Sequence, residues 1–300
     1  MTSTQGRTLK VALALGGGGA RGYAHLGVLQ TLIAHDVPID IVTGTSMGAL
    51  IGSAYACHLD LNKVVKLLEA LDLNDLLGVS PHPFTEMLER TASEYLFRKA
   101  NWRQADQEKT RRLLEFYRLL THDRTFESLD LPFAVVAVDV DTGEEIVIKQ
   151  GKIGRALAAS IALPGVHDPV RWNGRLLVDG GVVNKVPISA AVDLGADVVV
   201  AVDVSGDVTK PVSTSLEVLA QANSITSRAL LCAQLELMQL KLRSQLILIC
   251  PDVGSIKILE LNEVKIPLEA GRAATEAALP AIERALEYCR LEQPVPPRVT

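Results

Sequence analysis

The sequence predicts an α/β protein with a mainly parallel central sheet, on three observations. Short apolar runs near residues 9–15, 39–43, 132–140, 144–149, 175–178, 197–203 and 246–250 alternate with longer helical stretches. That is the pattern of strands joined by crossover helices. The run Val198-Val199-Val200-Ala201-Val202 is apolar without alternation, as a strand covered on both faces is. Of the 300 residues, 48% are apolar, enough for one large core, and no Pro/Ser/Gly-rich linker divides them. A single domain over residues 1–300 is therefore expected.

The first predicted strand, Leu9 to Leu15, runs into Gly16-Gly17-Gly18-Gly19-Ala20-Arg21-Gly22, and a helix is expected from Tyr23 to Leu29. Gly17, Gly19 and Gly22 satisfy G-x-G-x-x-G, so a dinucleotide site has to be weighed. Such a fold brings backbone N–H groups and a helix start to a pyrophosphate. It also needs an acid at the end of the next strand to hold the ribose. The next strand here, about Ile39 to Thr43, has its acid, Asp40, at its beginning. The same exposed N–H groups suit the oxyanion of an acyl-transfer intermediate equally well.

That second strand leads into Gly44-Thr45-Ser46-Met47-Gly48, a G-x-S-x-G pentapeptide followed by an apolar, Ala-rich helix from Ala49 to Ala56. Strand, sharp turn and helix is the context in which this motif forms a nucleophile elbow. Small neighbours leave room for the strained serine backbone. Ser46 then needs a base. In α/β-hydrolases the order is Ser, acid, His, but all six histidines (25, 35, 58, 82, 122 and 167) lie at or before His167. The best remaining base is Asp179 in Leu176-Leu177-Val178-Asp179-Gly180-Gly181, where an apolar run delivers a carboxylate into a Gly-Gly turn. An aspartate that only hydrogen-bonds its own turn is the plain alternative.

Further along, residues 60 to 130 are mostly helical and charged, and the Phe/Tyr/Leu stripe of Leu113 to Leu120 is expected to pack inward. Residues 213 to 244 form a long helical region whose Leu-rich faces are interrupted by Arg228, Glu236, Lys241 and Arg243. Those charges exclude a membrane span. A core-facing helix is expected there, with a lid or an oligomer surface as the other uses.

His25 on an apolar helix is expected to be structural, and Asp203, at the end of the Val198 strand, to cap the turn that follows. Arg21 either fixes the glycine loop through a carboxylate or is solvated. Cys57, Cys232, Cys250 and Cys289 lie in or beside apolar segments without C-x-x-C spacing, which suggests reduced core residues of a cytoplasmic protein. No metal cluster, cofactor or signal peptide is indicated. The net charge of −5 argues against nucleic acid and against strong steering to anionic lipid.

Together, the glycine loop, the elbow and the Asp-Gly-Gly turn, in this order, resemble the patatin-like phospholipases, in their compact bacterial form. Ala159-Ser160-Ile161-Ala162-Leu163-Pro164-Gly165-Val166 is similar to the family's A-S-x-A-x-P segment. An aromatic often follows that proline in the family; here Gly165-Val166-His167 does. The resemblance covers roughly residues 9–205, leaving about 206–300 as a helical and strand extension. It implies a three-layer fold and a lipid acyl hydrolase with a Ser-Asp dyad. Ser46 would attack the ester, Asp179 would take its proton, and the loop Gly17, Gly18, Gly19, Ala20, Arg21, Gly22 would form the oxyanion hole through the N–H groups of Gly18 and Gly19. Gly44, Thr45, Met47 and Gly48 would build the elbow, and Gly180 and Gly181 the dyad turn. A lipid or other acyl ester would be the substrate, met at the inner face of the membrane. The classes held open against this are a nucleotide-binding protein using the glycine loop and a regulatory module that retains the hydrolase site.

Overall fold

The computed structural model describes residues 9–77, 107–164, 166–206, 215–242 and 245–292. Its strands are β1 Val11–Leu15, β2 Ile41–Thr45, β3 Phe133–Asp139, β4 Glu145–Ile148, β5 Val170–Trp172, β6 Arg175–Asp179, β7 Val198–Val202 and β8 Leu246–Ile249. The helices are α1 Ala24–Ala34, α2 Met47–Ala56, α3 Leu61–Ala70, α4 Leu73–Leu77, α5 Gln107–Thr121, α6 Ile153–Ser160, α7 Ile188–Asp193, α8 Ser215–Leu242 and α9 Lys265–Glu292. Among the described residues the eight strands form one sheet in the order β5-β6-β3-β2-β1-β7-β8, with β4 also on β3. The run from β3 through β2, β1 and β7 to β8 is parallel. Antiparallel pairing is confined to β4, β5 and β6.

The alternation along the central strands sorts their side chains into two cores. Val11, Leu13 and Leu15 of β1 pack with Val198, Val200 and Val202 of β7 beneath α1, α2, α3, α5, α6 and α9. Ala12 and Ala14 join Val199 and Ala201 on the opposite face, under α7 and α8. Period-two alternation between buried faces makes a helix, sheet, helix sandwich. Alanines on the second face let α7 and α8 approach closely.

Several sequence expectations shift. β2 begins at Ile41, and the Asp40 carboxylate just before it accepts the Val11 N–H at 2.8 Å. Gly44 and Thr45 continue its ladder against Leu15 and Val136. The three-residue β5 was not anticipated: Val170-Arg171-Trp172 has no apolar run to mark it and pairs only with β6. Phe116, Tyr117 and Leu120 of the α5 stripe are buried as expected; residues 78–106, Gly165 and Arg243 lie outside the described residues. The cysteines need a correction. Cys57 and Cys289 are buried, but Cys232 and Cys250 are exposed, since Cys232 falls on the outward face of α8 and Cys250 just beyond the end of β8. Within 206–300, β8 completes the same sheet by pairing with β7.

Candidate active site

The site forms where two strands meet head-on. β3 pairs with β2 through Phe133 to Val136 and with β6 through Ala137 to Asp139. β4 pairs with Val135 to Val138. A strand has two edges, so β2 and β6 share the one that β4 leaves. β2 runs parallel to β3 and β6 antiparallel, and their C-terminal ends therefore point at each other. Thr45 faces Val136, and Asp179 faces the next residue, Ala137. The residue after Thr45 is Ser46, so the topology itself brings serine and aspartate together.

Ser46 has φ 53° and ψ −123°, a conformation that non-glycine residues avoid and that persists only when its surroundings enforce it. Helix α2 starts at once with Met47, and at Gly48 the chain passes so close to β1 that a Cβ there would lie 2.2 Å from the Leu15 carbonyl oxygen. The strained turn is held by Ser160. Its hydroxyl accepts the Ser46 N–H at 2.8 Å and donates to the Val136 carbonyl at 2.7 Å. Two residues on, the Ala162 carbonyl accepts the Asp179 N–H at 2.9 Å. One short segment thus fixes both sides of the site.

Asp179 is 5% exposed. Its carboxylate accepts the Gly181 N–H at 2.7 Å, and the Ser46 hydroxyl lies near enough to favour its charged form. Burial raises its pKa from 3.8 to about 6, against the downward pull of the Ser46 hydroxyl, the Gly181 N–H and the Lys185 charge. The result is a carboxylate that titrates close to neutrality. Among the described residues no histidine contributes to its shift.

The glycine loop lies against the elbow: a Cβ on Gly17 would be 3.3 Å from Ser46 Cβ. Not all of its donors face a ligand. The Gly17 N–H donates to the Lys185 carbonyl at 2.9 Å and the Ala20 N–H to the Ile258 carbonyl at 2.8 Å. Among the described residues, those of Gly18 and Gly19 make no hydrogen bond. Gly19 has φ 56°, and a Cβ on it would strike the Ile258 carbonyl oxygen, so the loop depends on glycine here. Gly22 packs on Met47 in the first turn of α2.

A serine at a strained strand-to-helix turn, next to a buried aspartate and a glycine loop, agrees with the family match. The family model described as patatin-like phospholipase matches residues 13–192. The chain belongs to the patatin-like phospholipase family. An uncharacterized NTE family protein of Mycobacterium tuberculosis is 32% identical over 67% of this chain and 51% of its own length. Patatin-like phospholipase domain-containing protein 7 of Rattus norvegicus is 27% identical over 87% of this chain and 20% of its own. The chain thus spans about half, or less, of the length of these curated relatives. The solved structure of VipD from Legionella pneumophila shares the fold, with a TM-score of 0.51 and 15% identity over 92% of this chain and 67% of that one.

Around this patatin-like centre lies a second set of supports that the motifs did not reveal. The Thr43 and Thr45 hydroxyls donate to the Pro187 and Asn184 carbonyls at 2.9 and 3.0 Å. Asn184 is itself buried and donates to Glu145 and Ser189. Residues 184–187 therefore stitch the aspartate turn to β2 and, through Lys185, to the glycine loop. Lys185 sends its ammonium into the same region. Burial lowers its pKa and the Arg21 and Arg228 charges add to this, while Asp203 and Asp179 oppose it.

His25 is structural, as expected. It is fully buried, with Nε2 2.7 Å from the Gly16 carbonyl oxygen, and burial lowers its pKa to about 4. It is therefore neutral, with Nε2 donating and no partner on Nδ1. Arg21 donates to the Ile256 carbonyl at 2.7 Å and lies over Gly206. Asp203 accepts both the N–H and the hydroxyl of Ser205, the turn cap expected of it. His167 accepts the Leu163 N–H at Nδ1. Among the described residues no group of His, Cys, Asp and Glu is arranged to hold a metal ion, and no helix is long and apolar enough to cross a membrane.

Proposed function

We propose that this chain is a serine acyl hydrolase that cleaves lipid carboxylic esters through an acyl-enzyme on Ser46, with Asp179 as the base and residues 1–300 acting as one catalytic unit. The observation that carries this is the meeting of the strained Ser46 turn with a buried carboxylate at the facing strand end, its pKa raised to about 6. Ser46 Oγ adds to the ester carbonyl carbon as its proton passes to Asp179. The N–H groups of Gly18 and Gly19, with no acceptor among the described residues, hold the oxyanion, a contribution of about 3 kcal/mol for each donor at such sites. Collapse breaks the ester C–O bond, and the leaving alkoxide takes the proton from Asp179. Water then attacks the acyl-enzyme, giving its proton to Asp179, and the fatty acid leaves as Ser46 is reprotonated.

Burial explains how an aspartate can serve where a histidine usually does. At its ordinary pKa a carboxylate is a weak base at neutral pH, and a rise to about 6 brings it near the histidine range. The fold and the family support lipid esters as substrates. A panel of phospholipids, lysophospholipids and acylglycerols assayed with wild type beside Ser46→Ala tests the proposal. Fatty acid release from at least one lipid by wild type, and none by Ser46→Ala, is the expected result; equal release by both proteins would overturn it.

A further inference from the structure

Helix α8 is apolar on two faces. Leu231, Met238 and Leu242 close the core beneath it. On the other side Val218, Ile225, Leu230 and Leu237 are between 38% and 51% exposed, and Leu240 is 78% exposed. At 100° per residue these five fall within an arc of about 140° and run for about 33 Å along the helix. Among the described side chains in that arc the only charge is Glu236. An apolar surface of this length marks an interaction site.

The stripe continues into the candidate active site. Gln234 of α8 donates its amide to the Val183 carbonyl at 2.8 Å, and Leu230 and Leu237 flank it one turn before and one turn after. Val183 closes the turn that begins at Asp179, and Val182 within that turn is 51% exposed. Whatever covers the stripe therefore lies against the turn that carries the base. A bilayer holding a lipid substrate must do this, whereas a second copy of the chain need not. Charge decides the kind of bilayer. In α8, Glu217 and Glu236 balance Arg228 and Lys241, and the whole chain carries −5. The charges along α8 cancel, so seating of the stripe rests chiefly on apolar area.

We propose that the exposed stripe of α8, continued by Val182, seats the protein on a zwitterionic lipid surface and presents that surface to Ser46. This rests on the lipid-ester proposal for the site, and its test is kept separate by measuring binding in the inactive Ser46→Ala protein. Sedimentation with phosphatidylcholine vesicles is expected to carry Ser46→Ala down, with little change as salt is raised. Adding Leu237→Ser and Leu240→Ser should weaken partitioning about tenfold or more. Ile33→Ser with Leu291→Ser, an equal apolar loss at the 47% and 77% exposed sites on α1 and α9, should leave it unchanged. Val218→Ser with Ile225→Ser repeats the test on the other half of the stripe if the first pair does not fold. Three results would each overturn the proposal: no vesicle binding by Ser46→Ala, equal binding by the stripe variants, or an equal loss in Ile33→Ser with Leu291→Ser. A Ser46→Ala dimer converted to monomer by the stripe variants, with vesicle binding retained, would assign the stripe to a second copy instead. Vesicle binding without any lipid hydrolysis by wild type would sink the functional proposal alone.

Discussion

Replacing Asp179 by asparagine is expected to abolish turnover and, at neutral pH, to make the protein more stable. The carboxyl is buried, and loss of solvation raises its pKa from 3.8 to about 6. It therefore binds its proton more tightly in the folded chain than in the unfolded one. Its contribution to stability is complete below about pH 4 and is lost as pH rises through about 6. The difference of about two pKa units corresponds to about 3 kcal/mol. Asparagine keeps an acceptor oxygen for the Gly181 N–H and never ionises. At pH 7.5 Asp179→Asn should then be more stable than wild type by about 3 kcal/mol, or about 5 °C in Tm for a chain of this length. At pH 4.5, where the wild-type carboxyl is mostly protonated, the gap should shrink to about 1 kcal/mol. Calorimetry and denaturant unfolding at both pH values measure it. A variant no more stable than wild type at pH 7.5, or a gap that does not change with pH, would refute the buried-charge origin of the base.

Other outcomes follow from the same geometry. Ser160→Ala leaves the Ser46 N–H and the Val136 carbonyl without their partner, so stability should fall by about 2 to 4 kcal/mol and turnover by about a hundredfold as the elbow relaxes; thermal melts and steady-state kinetics check both. The pH profile of kcat/KM should lose activity below about pH 6 as Asp179 takes a proton, and because the Lys185 charge opposes that protonation, Lys185→Met should move this limb to higher pH. His25→Ala should cost about 3 kcal/mol at pH 7.5 through lost packing and the orphaned Gly16 carbonyl. With its pKa lowered to about 4, the His25 contribution is present above about 6.5 and lost as pH falls through 4, so the stability gap between His25→Ala and wild type should narrow on acidification.

Much of the site could be read in the sequence because its chemistry depends on local rules. A strained turn needs small neighbours, so Gly44, Ser46 and Gly48 announce the elbow, and the close approach at Gly48 explains why. The glycine loop was likewise visible as a whole, and the resemblance pointed to the Gly18 and Gly19 N–H groups, but not what occupies those of Gly17 and Ala20. That depends on the Lys185 and Ile258 carbonyls, brought in from far along the chain. Ser160 stood in a segment whose resemblance was noted, yet its bond to the Ser46 N–H spans 114 residues and has no periodic signature. Asn184 and the two threonines act through carbonyl contacts of the same long-range kind. β5 went unseen because three residues at a sheet edge carry no alternation, and Cys232 and Cys250 were misplaced because an apolar neighbourhood in sequence does not say which way a side chain faces. The head-on meeting of β2 and β6 on one edge of β3 was beyond sequence reasoning, since it requires the pairing of all four strands.

The most direct measurement is the rate at which a fluorophosphonate labels each serine, followed by peptide mass mapping across pH in wild type, Asp179→Asn and His167→Ala. A single adduct on Ser46 is expected, with a rate that falls below about pH 6 as Asp179 is protonated. That rate should collapse in Asp179→Asn and persist in His167→Ala. An adduct on another serine, or labelling of Ser46 that survives Asp179→Asn but not His167→Ala, would contradict the Ser46–Asp179 dyad.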